Sequence, residues 1–508
     1  MRRTRAFPAL LIGGVLASQP PATGTVQQLS LQEAIRITLE NNLQVGIARE
    51  SRTATAAAIP IAQGAFDWNL VGNLNYGRQE SANTKLLYPL GPLATTDTLA
   101  WNRSLTIGAQ RPFEWGGNFQ VSYNPAYNFS QGNYQNPNSG AYLGYFSSKY
   151  SYSGTLTGTY TQSLLKGFGR QVNEVYVIVA KKGSQAAEHQ FSLAVINLVA
   201  SAESQYWDVV YAARNLDNAK AALALAQQQL DEDNAKVKEG TLAGIEVTNA
   251  EAAVAQRKQA LVVAKSQLRN ANDALLRILY PNAGHPDRIE PTDTPDIRSE
   301  WADLSSAEKM AVERRLELKV ARLGLESLSA QRVAAENRLL PQLNTFLSYN
   351  AGSDNRTTLG LVNTDLFNPN FPGYTVGLTF AFPIANRTAK GTLAQARANE
   401  RGSQLSLRDL ELGILLQVRQ AFENVEASRD SVVAARLARI FREADLDGEH
   451  KKFENGMSTT FLVLAKQNDL DASKAVELQA QIGYAKSVTA LEQATGNLVE
   501  ARGFSYPR

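Results

Sequence analysis

Cysteine is absent from all 508 residues, so no disulfide framework braces this chain. Stability must come from burial, from oligomerisation or from a membrane. Past the N-terminus, no stretch approaches the roughly 20 apolar residues of a transmembrane helix. If the protein spans a bilayer it does so as a barrel, because only helices and closed barrels satisfy every backbone group in lipid. Histidine is nearly missing as well. His189, His285 and His450 stand alone, and their spacing supports no metal site. There is no G-x-S-x-G motif and no carboxylate pair in a predicted pocket, so an enzyme's constellation is lacking. Gly167-Phe-Gly169 lacks the third glycine and buried strand of a dinucleotide site, and reads as a strand-to-helix turn. No catalytic residue, metal or cofactor is predicted.

What is present begins with a secretory signal. Arg2, Arg3 and Arg5 form a positive n-region, Ala9 to Ala17 a short apolar core, and Val15-Leu16-Ala17 a small-residue cleavage site. No cysteine follows, which excludes lipid attachment there. Without residues 1–17, basic and acidic side chains balance at 48 each, so charge gives no support to a nucleic-acid partner.

Proline divides the chain. None occurs from Ala22 to Ile59, Asn138 to Tyr280, Asp296 to Leu340 or Ile384 to Tyr506. Those spans allow long helices, since proline breaks helix interiors. Val195, Ala202, Val209, Leu216, Leu223, Leu230 and Val237 recur at every seventh residue. Leu198, Ala212, Ala219 and Ala226 follow at the next seam position, with Gln205 and Asp233 as exceptions. After Gly240 the period restarts at Val247, Val254, Leu261, Leu268 and Leu275. This is the seam of a coiled coil. A helix from about Val172 to Glu239 would be roughly 100 Å long, which predicts an elongated structure.

The pattern appears twice. Ser30-x-x-Glu33 and Ser305-x-x-Glu308 read as capping boxes, with Leu43/Leu318 and Val45/Val320 at the same offset of 275 residues. Lys236-Val-Lys-Glu-Gly240 matches Lys452-Phe-Glu-Asn-Gly456 at an offset of 216. Asp231-Glu232-Asp233 reads as a solvated patch near the first of these turns.

Between the helical spans, Gly64–Arg170 and Gln342–Gly391 are rich in Gly, Asn, Thr, Ser and aromatics, a strand composition. Tyr374, Val376, Leu378, Phe380 and Phe382 alternate with Thr375, Gly377, Thr379 and Ala381. A strand with lipid outside and water inside needs that division over about 9–11 residues. A soluble sandwich alternates too. A second, less regular strand holds Leu343, Phe346, Leu347 and Tyr349. In the first half Leu70, Leu74 and Tyr76 open one strand, and Leu156, Tyr160 and Leu164 lie on the returning one. Leu105, Ile107, Ala109 and Phe119, Val121, Tyr123 flank Gly116-Gly117 as an extra hairpin, either in the barrel or in an extracellular loop. Four strands cannot enclose a channel, since even narrow barrels use about eight. Three copies would give twelve.

At these segments the chain resembles the outer membrane efflux protein family, the TolC-like outer membrane factors. Leu29-Ser-Leu-Gln-Glu-Ala34 is similar to the family's opening helix, and Leu340-Pro-Gln-Leu343 to the start of its second-repeat strand. Val376-Gly-Leu-Thr-Phe-Ala-Phe-Pro-Ile384 with Asn386 and Gly391 resembles its strand-to-helix exit. Gln162-Ser-Leu-Leu-Lys-Gly-Phe-Gly169 is similar to the first-repeat version, with Ser163 where proline is usual. The resemblance implies a mixed α/β membrane protein. Its antiparallel coiled-coil barrel would continue into a transmembrane β-barrel shared by a homotrimer, with four strands per subunit and two internal repeats.

On that basis the chain divides into a signal peptide (1–17), an N-terminal helix (18–60) and first-repeat strands with long loops (61–170). Coiled-coil helices follow (171–280), then an equatorial linker (281–302) and the first helix of the second repeat (303–340). Second-repeat strands (341–391), further coiled-coil helices (392–500) and a tail (501–508) complete it. The family places its members in the outer membrane, reaching into the periplasm, as passive exit ducts of tripartite efflux or type I secretion systems. Partners implied are outer-membrane lipid, a periplasmic adaptor and an inner-membrane RND or ABC transporter.

By motif match, the adaptor would dock at Gly240-Thr241-Leu242 and Gly456-Met457-Ser458. The family's gate carboxylates, six and nine residues past the second glycine, fall on Leu462 and Ala465. Glu246 keeps an acid in the first repeat, and Asp469 and Asp471 lie further along. An apolar constriction at Leu462 is the alternative. A periplasmic structural or adhesive coiled-coil protein is the competing reading of the whole chain.

Overall fold

Seven-residue apolar periodicity and two-residue alternation produce two kinds of long element in this chain. The computed structural model describes residues 26–86, 93–136, 139–147, 150–241, 243–281, 286–297, 303–370 and 372–505, without the side chains of 83–96. The expected signal peptide and Leu242 lie outside the described residues. In chain order the elements are β1 (Val26–Leu29), α1 (Leu31–Asn41), α2 (Leu43–Ala56), α3 (Ala58–Gln63), β2 (Asn69–Leu86), β3 (Leu93–Pro112), β4 (Gly117–Gln135), β5 (Tyr142–Ser147) and β6 (Ser151–Ser163). Then come α4 (Arg170–Asn173), α5 (Val175–Lys238), α6 (Gly244–Leu279), β7 (Arg288–Pro291), α7 (Leu304–Arg314) and α8 (Leu316–Asn337). Last are β8 (Gln342–Arg356), α9 (Leu359–Phe367), β9 (Gly373–Ala381), α10 (Arg387–Glu454), α11 (Thr460–Ala494) and α12 (Leu498–Ala501). Among the described residues no helix is long and apolar enough to cross a membrane.

The chain separates into two compact units. The first holds the described residues of Met1–Arg52, Glu188–Val320 and Leu407–Arg508; the second holds Thr53–Ala187 and Ala321–Ser406.

In the first unit the heptad seam is buried as its spacing predicts. Val195, Ala202, Val209 and Leu216 of α5 are in the core, as are Val254, Leu268 and Leu275 of α6. At 64 residues, α5 is about 96 Å long at 1.5 Å per residue. One core cluster gathers Leu29, Ala34, Tyr206, Val209, Leu275, Leu279 and Ile289. A second is built from Ala311, Leu318, Ile414, Val418, Tyr484 and Leu491.

The span 18–60 is not one helix. β1 opens its described part and pairs in parallel with β7, from Val26↔Arg288 to Leu29↔Pro291. Ser30 caps α1 as expected, its Oγ accepting from Glu33 N–H at 3.3 Å. Asp293 adds a distant cap by accepting from Leu31 N–H at 2.6 Å. α1 stops after eleven residues at Asn42, whose extended backbone is held by its amide donating to Ile278 O at 2.8 Å. Likewise 303–340 is two helices. α7 also has eleven residues and ends at the extended Arg315, which donates to Ala494 O at 3.1 Å and to Gln417 Oε1 at 3.1 Å. The capping box expected at Ser305 does not form. Asp303 is the N-cap and Ser305 lies inside the first turn, and Ala307 and Ala311 of this helix are buried.

Two buried polar clusters lock this unit. The Tyr206 hydroxyl sits 2.7 Å from Asp293 Oδ2 and 3.0 Å from Leu29 O, with no exposed surface. Burial, then the Asp293 carboxylate, raises its pKa well above the usual phenol value. Arg502 donates to Glu203 at 2.7 and 3.1 Å and pairs with Glu492 at 2.7 Å. Glu203 is 1% exposed, so removing its partner strands a buried charge. Arg502→Leu is expected to cost about 3–5 kcal/mol, read as a lower midpoint in denaturant unfolding of this unit; an unchanged midpoint would show the cluster to be dispensable.

Candidate functional site: a two-faced sheet and two helical tips

The second unit is organised by one antiparallel sheet. Its strands run in the order β2-β3-β4-β6-β8-β9, with the short β5 paired to β4. The sheet has six long strands where four per subunit, with an extra hairpin in the barrel or in a loop, were expected. The extra hairpin, β3–β4, lies between β2 and β6 and is hydrogen-bonded to both.

Because side chains alternate along a strand, register assigns each to a face. Opposed pairs such as Leu74↔Leu105, Ile107↔Tyr123, Tyr123↔Leu156, Tyr160↔Leu347 and Leu347↔Val376 put apolar groups on one face of every strand. That face carries Leu70, Leu74 and Tyr76 on β2, then Trp101, Leu105 and Ile107 on β3. Phe119, Val121, Tyr127 and Phe129 on β4 continue it. Tyr374, Val376, Leu378 and Phe380 on β9 complete it at the far edge.

The other face is small and polar. Thr155, Thr157, Thr159 and Thr161 of β6 meet Gly352, Asn350, Ser348 and Phe346 of β8, next to Thr375 and Thr379 of β9. Phe346 is its large exception, lying over Gly377, where a Cβ would strike its ring. The apolar face is left open at both edges of the sheet: Leu70 is 81% exposed and Val376 74%. Charges interrupt it at Arg78 and Glu80 on β2 and at Arg103 and Arg111 on β3. Arg103 sits 5.6 Å from the Tyr76 ring and 5.7 Å from the Tyr127 ring, contacts of about 0.5–2 kcal/mol each. Part of the face is covered by α9, whose Val362 and Leu366 pack with Ala351 against Tyr123, Tyr152, Leu156 and Tyr349.

The strands pass into helices through tied turns. Gly167 and Gly169 have φ of +83° and +95°, so the segment is a strand-to-helix turn as its sequence suggested. Asn337 Oδ1 accepts from Gly167 N–H at 2.7 Å, and Asn173 donates to the Gly167 and Gly169 carbonyls at 2.9 Å.

In the first unit, both glycine turns that end the longest helices have the same geometry. Gly240 and Gly456 have φ of +72° and +71°. Gly240 N–H donates to Val237 O and Thr241 N–H to Lys236 O; Gly456 N–H donates to Phe453 O and Met457 N–H to Lys452 O. These are Schellman caps, which require the left-handed residue glycine provides. The two turns touch, with the Lys236 ammonium 4.6 Å from the Phe453 ring centroid. Ser458 donates to Glu449 at 2.5 Å, and this bond, then Lys452, holds that carboxyl below its usual range. Ile245, Met457, Phe461 and Leu462 remain exposed, an apolar set on a polar turn.

The gate candidates have varied surroundings. Leu462 is 43% exposed and Ala465 half-buried. Glu246 is half-buried in the first turn of α6, accepting from Asn249 at 3.3 Å. Asp469 is tied to Arg442 of α10 at 3.0 Å, and Asp471 to Arg257 of α6 at 2.9 Å. The 231–233 patch is corrected in one residue. Asp231 and Glu232 are exposed, but Asp233 is fully buried, accepting from Gln229 at 2.9 Å, and its Oδ2 has no partner. Its place at an inward seam position of the heptad was the overlooked signal.

A long-helix bundle and a sheet apolar on one face and polar on the other make up the described architecture. Solved structures share the fold: VceC of Vibrio cholerae aligns with a TM-score of 0.62 at 16% identity, over 92% of this chain and 96% of that one. The open-state MtrE channel of Neisseria gonorrhoeae gives 0.60 at 16%, over 92% and 89%. In sequence, residues 308–497 match the Outer membrane efflux protein family. The chain is 27% identical to TolC of Escherichia coli over 60% of its length and 62% of TolC's. It is 26% identical to the efflux protein BepC of Brucella suis, over 69% and 73%. The chain is thus similar to outer membrane efflux proteins in sequence and shares the fold of solved outer-membrane channels.

Asp233 yields a pH prediction. Burial, opposed by the Gln229 hydrogen bond and Lys236 and reinforced by Glu246 and Glu232, raises its pKa above 3.8. The folded state therefore holds the proton more tightly than the unfolded one, and stability falls as pH rises from about 3.8 through the folded value. Asp233→Asn is expected to be more stable than the parent at neutral pH, the difference closing below that range. Thermal melts at both ends of the range check this; parallel curves at all pH values would contradict it.

Proposed function

We propose that three copies of this chain form an outer-membrane exit duct of a tripartite efflux or type I secretion system. It conducts passively what an inner-membrane RND or ABC pump delivers through a periplasmic adaptor. The two-faced sheet carries this reading. A wall with lipid on one side and water on the other needs an apolar outer face and a polar inner one, and the β4 apolar band from Phe119 to Phe129 matches the roughly 9–11 residues a tilted strand needs.

Self-association has support in α10. Leu412, Leu416, Val433, Leu437, Ile440 and Phe441 are exposed on it, while Ile414, Val418, Val425 and Val432 fill the core. Such a second apolar stripe fits a helix of another copy, each fully covered side chain contributing about 1.5–3 kcal/mol. We also infer two internal repeats. The eleven-residue helices α1 and α7 correspond at an offset of 273 residues, two fewer than the serines suggested.

The glycine tips, Gly240-Thr241-Leu242 and Gly456-Met457-Ser458, would dock the adaptor, with Met457 and Phe461 as apolar contacts. Leu462 and Ala465 would form an apolar constriction, since the Asp469 and Asp471 carboxylates are engaged by arginines. Glu246 would add charge at the same level.

Expressed at full length, the protein is expected in the outer-membrane fraction as a trimer that opens pores in planar bilayers. Photo-crosslinking from position 457 should capture the adaptor, and Leu462→Ala should raise the resting conductance several-fold. A soluble periplasmic monomer that opens no pores would establish the structural or adhesive coiled-coil alternative. Pores unchanged by Leu462→Ala would remove that residue from the gate.

A further inference from the structure

Six long strands, rather than four, form the wall of this sheet, and the difference is the β3–β4 hairpin. β3 pairs with β2 along its whole length, from Asn69↔Gln110 to Leu86↔Leu93. On the other side β4 pairs with β6 from Gly117↔Gln162 to Asn128↔Ser151. The hairpin therefore places β2 three strand spacings from β6, about 14 Å in all. Its alternation is in phase with its neighbours. Leu105 and Ile107 continue the apolar face from Leu74 to Tyr123, while Ser104 and Ser122 lie on the polar face with Asn75 and Thr157.

The tight turn of the hairpin lies at the sheet end where the strands meet helices, not at the loop end. Gly116 O accepts from Ser163 N–H at 3.2 Å, and Trp115 O accepts from Gly169 N–H at 3.1 Å. Ser163 ends β6 and Gly169 precedes α4, so the turn is tied to the strand-to-helix junction. A hairpin carried on an extracellular loop would have its turn at the opposite end.

The sheet ends in two edges, β2 and β9, that do not pair with each other. In an alternating six-strand path the first and last strands run in opposite directions, as antiparallel pairing between copies requires. The apolar runs also match in length, Leu70 to Tyr76 on one edge and Tyr374 to Phe380 on the other. We propose that β3 and β4 belong to the barrel wall and that β2 of one copy pairs with β9 of the next. Resting on the trimer reading, this gives an eighteen-stranded barrel. Diameter grows roughly linearly with strand number, so the bore is about 1.5 times that of a twelve-stranded barrel, in the size range that leaves an aqueous channel.

Electron cryomicroscopy of the full chain in lipid nanodiscs tests this directly. The expected result is a trimer with eighteen strands. A trimer whose wall has twelve strands, with β3–β4 outside it, overturns this inference and leaves the duct intact. A monomer overturns both. The cysteine-free chain permits an independent measurement: Ser122→Cys with Thr157→Cys should form an intrachain disulfide in the membrane-inserted protein, because those residues are direct partners. Its absence, with both cysteines free to oxidants, would place β4 away from β6 and overturn the proposal.

Discussion

Backbone hydrogen bonding in lipid is the constraint on which the rest of this protein depends. A strand in a bilayer must satisfy every N–H and C=O through neighbouring strands, and its side chains must divide between lipid and water. Six consecutive long strands of this chain meet the second demand in one shared register. A slip of one residue in any of them would turn Val376 or Leu105 toward water and threonine or serine toward lipid. In the proposed duct the first demand would be unmet at the edges β2 and β9 of a single copy, which is why that reading calls for several copies.

The helical unit obeys a different economy. Its seam is lined with small and medium residues such as Ala202, Ala212, Ala226, Ala250 and Ala264. A seam of this kind supplies close packing but little specificity of register. Register comes from polar locks between segments far apart in sequence: Tyr206 with Leu29 and Asp293, and Arg502 with Glu203 and Glu492. Each ties the ends of the chain to the middle of α5. Buried Asp233 near the glycine turns is of another sort. With one unpartnered oxygen it stabilises nothing at neutral pH, and tip packing holds it in place.

Much of this was legible in the sequence. Tyr374 to Phe382 alternates without interruption because one chemistry faces each side of β9, and the heptads of α5 and α6 survive because long helices have no other way to bury a stripe. Gly240 and Gly456 were visible as turns because their backbone needs φ near +70°. What was not legible depends on distant partners. The hairpin could be seen, but its place between β2 and β6 is set by pairings that alternation alone does not specify, and Arg103 breaks its apolar face. Asp303 and Ser305 are both cap-type residues, and the helix starts after Asp303 without a side-chain cap bond, which the sequence pattern does not specify. The breaks at Asn42 and Arg315 are held by contacts to Ile278 and Ala494, 236 and 179 residues away in sequence. Asp233 was masked by its acidic neighbours, although its heptad position pointed inward.

The central claim, that one face of the sheet meets lipid and the other water, is tested most directly by a cysteine scan of β9 in the natively cysteine-free protein. Single cysteines at successive positions from 374 to 380 would be labelled in reconstituted vesicles with a water-soluble maleimide and, separately, with a lipid-partitioned probe. The account predicts a strict period of two. Cysteines at 375 and 379 should react from water, and those at 374, 376, 378 and 380 only from lipid, while position 377 lies under the Phe346 ring. Water-phase labelling of every position alike would contradict it.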